Sequence, residues 1–287
     1  MRAHSNFTAE THLIRFVSVE QQADEICRVR SEHKLPYPLV LKPDVGQRGH
    51  GFRVIHSDEE ARSYAALFAR DVLVQKYVPG PHEAGIFYYR FPHEPVGRIF
   101  AITEKVFPMI TGDGQRTLEE LIRNDPRASL VARTCLQRFA NQRNRVLAAG
   151  ECLKLVEAGN HCQGAIFLDG GRLYSVQLEK QIDEISQSVP GFFVGRYDVR
   201  YASDDTLRAG RDFQIIELNG VSSEATSIYD PANSLWSACR TLFRQWEIIF
   251  AIAAENRSLG LPPTALRTIW ENWTSYQRRA VVYPVSD

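Results

Sequence analysis

Cysteine is scarce in this 287-residue chain: there are five, an odd number, and no two stand in a CxxC pair. That pattern argues against a disulfide framework and fits free thiols in a reducing compartment. Long hydrophobic runs are missing too. None approaches the ~18 apolar residues of a spanning helix, and the opening MRAHSNFTAETHLIRF lacks the apolar core of a signal peptide. Charge of one sign is not in excess, since Lys+Arg and Asp+Glu number 34 each. No global basic field therefore favours nucleic acid, no acidic tail exists, and any anion site must be local. Internal repeats and low-complexity tracts are absent as well. The expectation is a cytoplasmic protein with neither nucleic acid nor stable membrane insertion among its interactions.

What is present is ordinary globular composition, 44% hydrophobic and 24% charged, in a chain long enough for one large domain or two smaller ones. Ser18-Val19-Glu20-Gln21 has capping-box spacing and predicts a helix to about His33; Ser57-Asp58-Glu59-Glu60 predicts a second to about Arg70. Between them lie two short strands, Leu39–Lys42 and Phe52–Ile55, and VLVQKYV (72–78) follows as a third. Beyond Asp230, LWSACRTLFRQWEIIFAIAAENR has helical apolar spacing and reads as a helix packed on a core rather than adhering to a membrane.

The segment PLVLKPDVGQRGHGFRVI thus reads as a strand-loop-strand hairpin with Lys42 at the end of its first strand. A Walker A loop ends in GK[ST] and enters a helix; Gly46-Gln47-Arg48-Gly49-His50-Gly51 does neither. The dinucleotide fingerprint fails as well, because Val54 stands at its third glycine position. What remains is a hairpin whose backbone N–H groups can fold over a phosphate chain above the charge of Lys42. The same stretch also reads as an exposed turn with a snorkelling lysine. VLVQKYV breaks into Pro79-Gly80-Pro81-His82-Glu83, where backbone groups can pair with an adenine edge while a carboxylate takes ribose hydroxyls.

FFVGRYDVRY and FQIIELNG carry the most specific pattern. Residues two apart on a strand share a face, so Arg196, Asp198 and Arg200 point one way, and on the second strand Ile215, Glu217 and Asn219 are expected to share another. If the two faces coincide, Asp198, Glu217 and Asn219 form a cluster of hard oxygen donors, which suits Mg²⁺ with nucleotide phosphates. The competing reading is a salt-bridged sheet face. Against it, the flanking residues are apolar enough to bury both strands, and unneutralised carboxylates there would be costly without a cation. Asn160-His161-Cys162 lacks the spacing of a zinc site and reads as structural or substrate-facing.

From roughly Phe16 to Pro231 the sequence resembles the ATP-grasp superfamily, in its carboxylate–amine ligase branch with D-alanine–D-alanine ligases and cyanophycin-synthetase-like enzymes. The resemblance implies an α+β fold of two mixed subdomains with nucleotide between them: an N-terminal extension (1–15), a small lid (16–78), a larger sheet subdomain (79–231) and a C-terminal helical segment (232–287). The family's usual N-terminal domain is expected to be lacking. ATP would be held by Lys42, the loop from Gly46 through Gln47, Arg48, Gly49 and His50 to Gly51, the hinge Gln75, Lys76, Tyr77 and Val78, and Glu83. Lys105 would be a second phosphate-binding lysine, though it also reads as an exposed strand residue. The metal ligands would be Asp198, Glu217 and Asn219, for Mg²⁺ with Mn²⁺ as substitute. Arg196 would stabilise the tetrahedral intermediate, with Lys42 the other catalytic group. Arg200, Gly220, Ser222 and Ser223 would face substrate. Gly112-Asp113-Gly114 before RTLEELI resembles a segment of the cyanophycin-synthetase-like ligases. The implied reaction joins a carboxylate to an amine through an acyl phosphate, releasing ADP and phosphate. A small-molecule kinase and a non-catalytic nucleotide-binding module remain alternatives. A partner protein or domain completing the substrate pocket, or a homodimer, would be compatible with the short N-terminus.

Overall fold

The computed structural model describes residues 6–46, 49–280 and 286. They form two compact units, each built from separated stretches of chain. One comprises Glu10–Tyr77, Phe107–Ile166 and the described residues from Arg267 onward. The other comprises residues 6–9, Val78–Val106 and Phe167–Leu266.

The first unit begins with β1 (Thr11–Ile14), α1 (Val19–Glu32), β2 (Leu39–Pro43), β3 (Arg53–Ile55), α2 (Asp58–Leu67) and β4 (Val72–Lys76). The strands make an antiparallel sheet in the order β1-β4-β2-β3. Both helices start where the sequence predicts, because Ser18 and Ser57 Oγ accept from the N–H groups of Gln21 and Glu60 and satisfy two otherwise orphaned donors. α2 stops at Leu67, short of Arg70, as Phe68 leaves the helical conformation with φ −132°. Leu39, Leu41, Val72 and Val74 face α1 and α2 in one core; the alternate residues Val40 and Lys42 point to the other face. The 107–166 stretch adds the antiparallel pair β7 (Met109–Thr111) and β8 (Cys152–Lys154) and the helices α3 (Leu118–Asn124) and α4 (Ala132–Arg138) around a core of their own. Thr117 and Glu120 form a complete capping box at the start of α3. The last helix, α8 (Leu266–Ala280), ends the described helical structure.

The second unit is a five-stranded sheet in the order β11-β10-β5-β6-β9: β5 (His82–Tyr89), β6 (Arg98–Val106), β9 (Ile166–Asp169), β10 (Val194–Tyr201) and β11 (Phe213–Asn219). One face carries Ile86, Tyr88, Ile102, Tyr197, Val199 and Tyr201 against Leu178, Ile182 and Ile185 of α5 (Val176–Gln187). The other meets Ile248, Ile249 and Ile252 of α7 (Leu235–Ser258) through Phe87 and Val194. α7 is thus a core helix along one stripe, as its spacing suggests, while Trp236, Phe243 and Phe250 remain exposed. No helix among the described residues is long and apolar enough to cross a membrane. All five cysteines are free thiols.

Candidate active site

Strand register builds a row of charges across the second unit. β10 pairs with β5 so that Arg200 stands opposite Glu83 and Asp198 opposite Gly85, and β5 pairs with β6 so that Glu83 stands opposite Lys105. Opposed residues point to the same face. Lys105 Nζ lies 2.8 Å from Glu83 Oε1 and 3.1 Å from Asp198 Oδ2; Arg200 Nε donates to Glu83 Oε2 at 3.1 Å, and Arg196 Nε to Asp198 Oδ1 at 2.9 Å. Asp198 is 4% and Lys105 5% exposed. Gly85 makes room for the pair, since a Cβ there would meet Arg196 Cδ at 3.1 Å and Asp198 Oδ1 at 3.2 Å.

The electrostatics correct one step of the sequence argument. Asp198 is not an unneutralised carboxylate: Lys105 and Arg196 hold it on both oxygens. Burial by itself would raise its pKa, but the two cations outweigh burial and hold it at about 2. For Lys105, burial works to lower the pKa while Asp198 and Glu83 work to raise it, and the net direction is up. Asp198 and Lys105 are therefore both charged near neutral pH.

β11 supplies the remaining candidates through a β-bulge. Asp198 pairs with Glu217 but Val199 with Ile215, so Ile216 is an extra residue. Strict alternation would put Ile215, Glu217 and Asn219 on one face. The bulge instead sends Ile215 into the hydrophobic core and Glu217 to the face of Asp198. Asn219 Nδ2 lies 3.4 Å from Asp198 Oδ2, and Glu217 is exposed on the edge strand.

Arg200, Glu83 and Lys105 are buried. Arg200 is 5% exposed and braces Glu83 and the carbonyl of Val78, from which Arg200 Nη1 is 3.1 Å away. Glu83, read as a ribose contact, is 2% exposed with each carboxylate oxygen accepting from a cation. Lys105 is buried rather than an exposed strand lysine. Gly220 to Ser223 form a turn, with Ser223 N and Oγ both donating to Gly220 O, and Ser222 is exposed.

Two supporting groups were not singled out in the sequence. The carbonyl of Glu224 accepts from Arg196 Nη1 at 3.2 Å. Gln245 of α7, 1% exposed, donates to Ser223 O at 3.0 Å and accepts from Ala225 N at 2.8 Å, clamping the loop. A lone amide in an apolar helical stripe was the available signal. Gln245→Leu leaves both backbone groups without that partner, so urea unfolding should show a loss of about 1–3 kcal/mol for each group left buried.

In the first unit, Lys42 Nζ donates to Gln75 Oε1 at 3.2 Å, and Gln75 Nε2 donates to Thr11 Oγ1 at 2.8 Å. Gly49 (φ +70°) and Gly51 (φ +75°) occupy left-handed backbone that disfavours side chains. Tyr64 Oη donates to Gly51 O at 2.8 Å and anchors the loop to α2. His50 and Lys76 are exposed. Gln47 and Arg48 lie outside the described residues. Tyr77 lines a cavity of about 580 Å³ with Val54, Lys154 and Val156; Lys42 and Gln75 are not among its lining residues. His161 stands beside Arg127 in a turn capped by Asn160, and burial followed by the Arg127 charge lowers its pKa.

No protein-family model matches the chain. Over 155 residues it is 29% identical to a cyanophycin synthetase of Geminocystis herdmanii, a match taking in 46% of this chain and 17% of that protein. The chain resembles the ATP-grasp carboxylate–amine ligases. A formate-dependent phosphoribosylglycinamide formyltransferase of Sulfolobus acidocaldarius is 25% identical over 101 residues, covering 33% of this chain and 23% of that protein. The chain therefore spans less than a quarter of either curated relative. Among solved structures, the D-alanine–D-alanine ligase of Bacillus anthracis aligns at 13% identity and a TM-score of 0.47, covering 90% of this chain and 66% of that one. A bifunctional glutathione synthetase of Pasteurella multocida aligns at 15% and 0.40, covering 85% and 34%. The glycine hairpin and the charged strand pair belong to different units.

Proposed function

We propose that the chain carries ATP- and Mg²⁺-dependent ligation of a carboxylate to an amine through an acyl phosphate. The observation carrying this reading is the Arg196, Asp198, Glu217 and Asn219 group on β10 and β11, built on a buried ionic row in a chain that resembles ligases of this type. A free carboxylate is a poor acyl donor because it would have to expel oxide. Phosphorylation by ATP gives it a leaving group, and an amine then displaces phosphate at the acyl carbon.

The donors suit a hard cation in kind: two carboxylates opposed in register, with a side-chain amide beside them on an edge strand, Asp198 keeping its contacts to Lys105 and Arg196. Mg²⁺ held there by Glu217, Asn219 and Asp198 would offset charge on the ATP phosphates. Arg196 has five N–H donors, of which its contacts to Asp198 and Glu224 O engage three. The remaining donors serve the oxyanion that develops as the amine adds. Asp198 fixes the guanidinium plane, and Gln245 holds the 223–225 loop whose Glu224 carbonyl completes that hold. Lys42, with the Gly46 to Gly51 loop, binds phosphate. Lys42→Ala should weaken ATP binding by about 1.5–3 kcal/mol, roughly 10- to 150-fold. Unchanged affinity by calorimetry would remove Lys42 from the site.

The reaction is tested by ¹⁸O. Pools of carboxylates and amines are screened for stimulated ATP hydrolysis, and the active carboxylate is then supplied labelled. One labelled oxygen should appear in inorganic phosphate together with an amide product. A phosphorylated product with no amide and unlabelled phosphate points to a kinase; ATP binding without turnover points to a nucleotide-binding module.

A further inference from the structure

Three side chains of the first unit converge in a way that the proposed ligation does not use. Glu10 precedes β1, and its carbonyl extends the ladder by accepting from Lys76 N at 2.8 Å. His12 is two residues on, so both side chains fall on one side of the extended chain. His33 closes α1, its N–H donating to the carbonyls of Val29 and Ser31. His12 Nε2 lies 3.0 Å and His33 Nδ1 3.4 Å from the same oxygen, Glu10 Oε1, and the two imidazole rings are 3.8 Å apart. The three donor atoms all lie within 4.8 Å of one another.

We propose that Glu10, His12 and His33 form a binding site for a divalent transition-metal ion of the zinc, cobalt or nickel type. A tetrahedral ion with ligands at about 2.0–2.1 Å separates its donors by about 3.3–3.4 Å, so the two edges at Glu10 need little adjustment. Two imidazoles and one carboxylate are the ligands such ions prefer, whereas Mg²⁺ takes oxygen, so this site is chemically distinct from the proposed ligase metal. His33 sits at the C-terminal end of α1, where the helix dipole favours positive charge. A simple surface His–carboxylate pair is the competing explanation and accounts for one histidine. The contact of His93 Nδ1 with Glu255 Oε1 at 2.7 Å is that case in this chain. Two protonated imidazoles sharing one oxygen at 3.8 Å would repel each other; two neutral ones around a cation do not. With metal bound, the end of α1 is tied to β1 beside Lys76.

The test uses the full chain, freed of metal by chelation. Zn²⁺ is titrated by calorimetry near neutral pH, and Co²⁺ serves as a paramagnetic probe. One ion should bind per chain, and the Co²⁺ form should shift and broaden the ring resonances of His12 and His33 but not those of His56 or His93. Zn²⁺ should slow amide exchange at β1 and the last turn of α1. His12→Ala and His33→Ala should each lower affinity by about 100-fold or more, since even outer-shell changes cost 10- to 100-fold; His93→Ala should leave it unchanged. Binding that survives in His12→Ala/His33→Ala, paramagnetic broadening centred on other histidines, or no stoichiometric binding would each overturn the proposal.

Discussion

Asp198→Asn should destabilise the protein by about 3–5 kcal/mol, the usual cost of removing one partner from a buried ion pair. Asp198 is the shared anion of Lys105 and Arg196, and the amide keeps its shape while leaving part of both buried charges unpaired. The effect should depend on pH in a definite sense. The carboxyl sits at about 2 in the folded chain, below its unfolded value near 3.9. The stabilisation is therefore fully present above about pH 4 and is lost as pH falls through about 2. Urea midpoints of wild type and variant should differ by a constant amount from neutrality to about pH 4, and the gap should narrow below it by about 2–3 kcal/mol. A difference under about 0.5 kcal/mol at neutral pH would mean that the row is not an interdependent network.

Replacing Arg196 by Lys should have the largest effect on chemistry. Lysine keeps a positive charge beside Asp198 but loses the planar fork, so stability should fall less than in Asp198→Asn. If Arg196 donates to the developing oxyanion, amide formation should drop by about 10²–10³-fold, the scale seen when a single donor of this kind is removed. ATP affinity should barely change, because the oxyanion exists only during amine attack. Calorimetry for ATP and single-turnover amide formation separate the two. Equal losses in both would place Arg196 in nucleotide binding and sink its assignment to the intermediate.

The grouping of Asp198 with Glu217 is legible in the two strand sequences, but the face of Ile215 is not. Strict two-residue alternation is a property of an unbroken ladder, and one inserted residue at Ile216 reverses it. Lys105 and Arg200 show a different limit. Each is an ordinary charged residue on a strand, and only the register with Glu83 tells whether it meets solvent or a buried anion.

The sequence by itself determined the local structure: serine caps that start α1 and α2, short apolar runs that make β2 and β4 strands, alternation that makes β10 one, and a glycine hairpin in place of a phosphate loop that enters a helix. These depend on neighbours within a few residues, where propensity and capping act. Tertiary structure alone decided that Phe107–Ile166 joins Glu10–Tyr77 in one unit, that Gln245 clamps a loop some twenty residues upstream, and that Glu10, His12 and His33 converge. Each of these joins residues that are remote along the chain or on different elements. Packing and strand pairing, which no local pattern encodes, bring them together.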